Sequence, residues 1–222
     1  MVGPVQNLGN KEIIKQLTET KMKHIIILLS IVMLTTVRAL AQPKFEEGWV
    51  ATVQGDTVQG KLKVLGPSSS CAKVYFLNAQ GKRIKFKLKD IASYQRGEKL
   101  YVSKPTVRPL RIGGGPNGLM QVLHKGPKVT LYEYYYTTQS GGFGPGQVTV
   151  ASLQSDYYIE RHGKLELVRK SGFKHNMSAY FADDKALAQK IIDRSYKYKD
   201  MEDIVQEYND QAKPLNDNNE QN

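Results

Sequence analysis

Cysteine is almost missing from this chain. Cys71 is the only one in 222 residues, so no internal disulfide can form and a folded domain must rest on its core. Long apolar runs are scarce as well. The run from Ile25 to Val37 spans 13 residues, whereas a helix needs roughly 20 to cross a bilayer. Metal-ligand spacings are lacking: His124, His162 and His175 do not pair with another His, Cys or carboxylate at such a spacing. No zinc site and no cofactor are therefore expected. There is no G-x-S-x-G elbow. The "GGGPNG" stretch, residues 113–118, lacks the Lys-Ser/Thr of a phosphate-binding loop, because Leu119 and Met120 follow it. Acidic residues are also in deficit: 21 against 32 Lys and Arg, a net charge of +11.

The short apolar run has the layout of a secretory signal. Lys23 and His24 follow Met22, the run comes next, and Ala39-Leu40-Ala41 closes it. Cleavage is expected between Ala41 and Gln42. Residues 1–21 would then be an upstream extension, 22–41 the signal, 42–212 one mature domain and 213–222 a disordered polar tail. Loss of the leader removes five cations and two acidic residues, lowering the charge from +11 to +8. The mature protein is expected to be exported, periplasmic or extracellular, and to carry no membrane-spanning helix.

Strand-forming patterns dominate the mature part. "GWVATVQGDTVQGKLKVL" reads as a hairpin turned at Gly55-Asp56. "SSSCAKVYFLNAQGKRIKFKLKDI" reads as a second, turned at Asn78 to Gly81. "EKLYVSK" and "VRPLRI" add short strands. A strand pair turns at Gly126-Pro127, and a further hairpin turns at His162-Gly163. The loop "QSGGFGPGQ" carries Phe143 between glycines. Near the end the periodicity changes. "DDKALAQKIIDRSY" has helix formers, and in "KDMEDIVQEYN" Met201, Ile204, Val205 and Tyr208 keep amphipathic spacing behind Asp200 as an N-cap. The expectation is a mainly β (α+β) fold: an antiparallel sheet, barrel-like or sandwich-like, with two C-terminal helices.

The stretch "KRIKFKLK" alternates. Arg83, Lys85, Lys87 and Lys89 share one parity, and Ile84, Phe86 and Leu88 share the other. Successive strand residues point to opposite faces, so an apolar side should meet the core and four charges should face water. Such a row can bind an anionic partner by summed charge. Lysines on a strand also discourage edge-to-edge pairing with other chains. Two further features have both a chemical and a packing reading. Cys71 with His124 or His162 has the composition of a thiol nucleophile and base, or Cys71 is a small core residue. Tyr132, Tyr134 to Tyr136, Tyr157 and Tyr158 can stack on ligands or pack in the core.

Three features together resemble a loosely defined group of exported Bacteroidetes proteins. They are a leader ending in Ala41-Gln42, a G-D-T-x-x-G turn at Gly55, Asp56, Thr57 and Gly60, and an ending with Tyr196 to Tyr198 and Tyr208-Asn209 around helices. The resemblance covers the two ends of the mature chain and implies no catalytic residues. The expected role is a non-enzymatic binding or interaction module for an anionic envelope polymer or an envelope protein, with no nucleic-acid partner. A hydrolase-like enzyme whose site assembles only in three dimensions, and a structural accessory of an envelope complex, are the alternatives.

Overall fold

The computed structural model describes residues 15, 18–27, 43–106, 117–141 and 148–211. The chain divides into two units, Met1–Lys44 and Phe45–Asn222. In the first, α1 is helical over residues 18–27, and Met22, Ile25, Ile26 and Ile27 are largely exposed. Among the described residues no helix is long and apolar enough to cross a membrane. Ala41 and Gln42, where cleavage is expected, lie outside the described residues, as do the "VRPLRI" segment, most of both glycine-rich loops and the polar tail.

The second unit holds one ten-stranded antiparallel sheet. Its strands are β1 (Phe45–Thr52), β2 (Thr57–Lys63), β3 (Val74–Leu77), β4 (Arg83–Phe86), β5 (Ile91–Arg96), β6 (Lys99–Pro105), β7 (Asn117–Lys125), β8 (Thr130–Ser140), β9 (Val150–Arg161) and β10 (Lys164–Leu167). The spatial order is β10-β9-β8-β7-β6-β5-β1-β2-β3-β4. Every neighbouring pair is antiparallel. The antiparallel sheet is as expected, and of the barrel-like and sandwich-like arrangements the barrel is not formed: the sheet is open. Its two edges, β4 and β10, are four residues each, too short to offer one another the matched, staggered ladder that closure requires.

The turns form where the residues dictate. Gly55, Gly81 and Gly163 have φ of 97°, 75° and 77°, a region that glycine enters without a Cβ penalty. Asn78 adds a side-chain clasp, its Oδ1 accepting from the Lys82 N–H at 2.8 Å. Gly48 and Gly60 face each other across β1 and β2. A Cβ on Gly60 would lie 2.5 Å from the Phe76 ring, so this glycine admits a fully buried Phe76.

The helical elements depart from expectation in number and place. "SSSC" opens no strand: α2 (Pro67–Ser70) is a single helical turn with Pro at its start, where a missing N–H costs nothing. At the end come α3 (Phe173–Tyr180), α4 (Lys185–Ile192) and α5 (Met201–Asp210), three helices instead of two. Asp184 caps α4 by accepting from the Leu187 N–H at 3.0 Å. Asp200 precedes α5 but does not cap it. Its carboxylate reaches back to the Lys197 N–H at 2.9 Å and so closes the short 3-10 turn Tyr198–Asp200.

Two apolar clusters stabilise the unit. One gathers Val50, Leu62, Phe76, Ile91, Tyr94, Tyr101 and Met120 from the sheet with Cys71 behind α2. The other packs Leu187, Ile191, Ile204, Val205 and Tyr208 of the helices on Val129, Leu131 and Ile159. Each fully buried side chain of this size contributes about 1.5–3 kcal/mol, so the helices form an integral layer on the sheet.

Candidate binding surface

The alternation in "KRIKFKLK" sets which side of the chain is buried. Ile84, Phe86 and Leu88 are half-buried against the sheet's core cluster, while Arg83, Lys85, Lys87 and Lys89 are exposed. The strand itself is shorter than the pattern. β4 ends at Phe86, Lys87 remains extended at φ −82° and ψ 138°, and Lys89 sits in a 3-10 turn, Leu88–Asp90. Only Arg83 and Lys85 therefore project from a strand, and that strand is the sheet's edge.

Register adds residues that the row alone does not reveal. Lys85 is opposite Tyr75 and Arg83 is opposite Leu77; Leu77 is in turn opposite Lys61. Lys63 has the same parity as Lys61 on β2. Three short strands thus put Lys61, Lys63, Tyr75, Arg83 and Lys85 on one face. The Tyr75 ring lies between two ammonium groups, with Lys63 Nζ 5.8 Å and Lys85 Nζ 5.9 Å from its centroid. Both contacts are within cation–π range. Neighbouring strands are about 4.8 Å apart, less than the screening length of about 8 Å at physiological salt, so these charges act together. One acidic residue intrudes: Glu47 approaches Lys61 at 3.3 Å, but both side chains are mostly exposed and such a pair contributes about 0–1 kcal/mol.

No protein-family model, curated protein or solved structure matches this chain.

The remaining candidates fall into place by burial. Cys71 is fully buried, with its backbone carbonyl accepting from the Leu119 N–H at 3.2 Å; this is the packing role. Tyr132, Tyr134 and Tyr158 are core residues, whereas Tyr135, Tyr136 and Tyr157 are half-buried. His124 lies on β7, His162 in the β9–β10 turn with φ 51°, and His175 on α3. Among the described residues no three His, Cys, Asp or Glu side chains are grouped to hold a metal ion.

A half-buried ion pair marks the other half of the sheet. Lys104 Nζ donates to both oxygens of Glu160 at 2.8 Å, and the Tyr132 hydroxyl donates to the same carboxylate. Burial alone would raise the Glu160 carboxyl, but the hydrogen bonds from Lys104 and Tyr132 and the Lys104 charge together hold it below its usual range. Burial, then Glu160, pushes the Tyr132 phenol up. Every polar atom of this trio that bears charge has a partner, so the cluster ties β6 and β8 to β9 rather than presenting an open site.

Proposed function

We propose that this protein is an exported, non-catalytic binding module that takes an acidic polysaccharide of the cell envelope on the basic face of β2, β3 and β4. The observation that supports this most is Tyr75 held between Lys63 and Lys85. An aromatic ring offers a flat apolar surface for a sugar ring, and the flanking ammonium groups suit carboxylate or sulfate groups along the polymer. Arg83, Lys87, Lys89 and Lys61 extend the positive field around it. The leader-like segment from Met22 to Ala41 supports export of the domain.

The test is retention on immobilised polygalacturonate as salt is raised. The wild-type protein should bind at low salt and elute as screening shortens. The variant Lys63→Glu, Lys85→Glu, Lys87→Glu should pass through unretained while its melting curve stays near that of the wild type. Tyr75→Ala should weaken retention without altering its salt slope, since it removes stacking and no charge. A folded triple variant retained like the wild type would overturn the proposal.

A further inference from the structure

A cavity of about 410 Å³ lies beside the β5–β6 turn, within the size range of small-molecule sites. None of its wall residues belongs to the basic face. Val64, Leu65 and Pro67 give it an apolar side, and Ser70, Arg96, Lys99, Tyr101, Gln121 and Tyr135 a polar one.

Arg96 is the unusual member. It is 5 % exposed, and a buried guanidinium needs partners for its N–H groups. Nη1 donates to Lys63 O and to Ser70 Oγ, both at a long 3.3 Å. Nε is buried with no hydrogen-bond partner among the described residues. The nearest carboxylate, Glu46 Oε2, stands at 3.6 Å, beyond hydrogen-bond reach. Glu46 keeps a third of its side chain in solvent.

The other polar groups are held in position. Tyr101 stacks on Tyr94 with centroids 4.5 Å apart and planes 4° apart, and Tyr94 is anchored by its hydroxyl on Ser70 O at 2.8 Å. The Tyr101 hydroxyl donates to Gln121 Oε1 at 3.2 Å, which fixes the amide beside the cavity. The Tyr135 hydroxyl donates to Glu133 Oε2 at 2.5 Å. The wall carries two cations, Arg96 and Lys99, and two carboxylates, Glu46 and Glu98. The wall is therefore neutral on balance, and a dianion is disfavoured.

We infer that this cavity binds a small monocarboxylic acid with an apolar body. Its carboxylate would take the Nε–H of Arg96 in place of Glu46, and its body would lie on Val64, Leu65 and Pro67. Arginine meets a carboxylate with two parallel N–H donors, which is the fork that Glu46 fails to complete.

The experiment follows the Arg96 Nε–H resonance by NMR during titration with benzoate, benzamide and phenyl phosphate. Benzoate should shift that resonance, and Glu46→Gln should tighten benzoate by about tenfold by removing the competing carboxylate. Arg96→Lys should weaken benzoate by at least as much. Benzamide should leave the resonance in place. If Arg96→Lys does not fold, Glu46→Gln, whose side chain is partly in solvent, decides the matter. The inference is overturned if benzoate leaves the resonance unmoved up to about 10 mM in both the wild type and Glu46→Gln. It is equally overturned if benzamide matches benzoate, or if phenyl phosphate binds more tightly than benzoate.

Discussion

Asn209 and Val129 exchange two hydrogen bonds in opposite directions. The Val129 N–H donates to Asn209 Oδ1 at 3.1 Å, and Asn209 Nδ2 donates to Val129 O at 3.0 Å. The Lys128 N–H donates to the same Oδ1 at 3.1 Å. A side-chain amide on the last turn of α5 thus pairs with the β7–β8 hairpin as a neighbouring strand would. The approach is close because Gly126 has no Cβ: one placed there would lie 2.0 Å from Asn209 Cγ.

Asn209→Ala should therefore cost about 2–4 kcal/mol, since it strands buried N–H and C=O groups of the hairpin. Asn209→Asp keeps the acceptor and loses the donor, and should fall between Ala and wild type. Gly126→Ala should destabilise by displacing Asn209 even though the turn is half open to solvent. Denaturant midpoints of the three variants check the order.

Gly60→Val should lower stability by about 1–3 kcal/mol through overpacking. Its side chain would press on the Phe76 ring and on Leu77 O, 2.6 Å from the added Cβ. Thermal melting should show this loss. Gly55→Ala, where a Cβ meets nothing within 4 Å but φ is +97°, should cost only the backbone strain.

Asp183 links stability to pH. Its carboxylate accepts from Arg161 Nη2 and from the Tyr208 hydroxyl, each at 2.5 Å. The Arg161 hydrogen bonds, ahead of the Tyr208 one, lower its pKa to about 2. A depressed folded-state pKa adds stability that is present above the unfolded value near 3.8 and is lost as pH falls through about 2. The side chain is 48 % exposed, so screening limits the term to under about 1 kcal/mol. The slope of stability against pH between those values should flatten in Asp183→Asn.

A chain ending at Lys174 should fail to fold cooperatively. It lacks Leu187, Ile191, Ile204, Val205 and Tyr208, all fully buried. At about 1.5–3 kcal/mol each, their loss rivals a typical domain stability of about 5–15 kcal/mol. Near-UV circular dichroism and a broad, shallow melt would show it; a sharp melt would mean that the sheet stands alone.

The mature species isolated from the exporting cell should begin at Gln42, with residues 22–41 removed. Intact-mass measurement checks this, and a product that retains Met22 to Val37 would contradict the export proposal.

Local order was legible in the residues themselves. Alternation in residues 82–89 fixed which side chains are covered, and Gly55, Gly81 and Gly163 fixed where hairpins turn, because both depend only on neighbours along the chain. The stripe Met201, Ile204, Val205 and Tyr208 likewise determined the buried side of α5. Strand order was decided elsewhere. β5 leaves the edge strand β4 and pairs with β1 on the far side of the β1–β2 hairpin, and no local pattern encodes that pairing. The surroundings of Arg96, whose Nη1 meets Lys63 O 33 residues away, and the clasp of Asn209 on the β7–β8 hairpin likewise depend on distant segments, with residues up to 81 apart in the chain meeting. Asp200 shows the same limit on a small scale: its position suits a helix N-cap, but the turn before it offered the Lys197 N–H first. Pairing between distant segments is set by the summed burial and hydrogen bonding of whole strands and helices, which only the folded chain brings together.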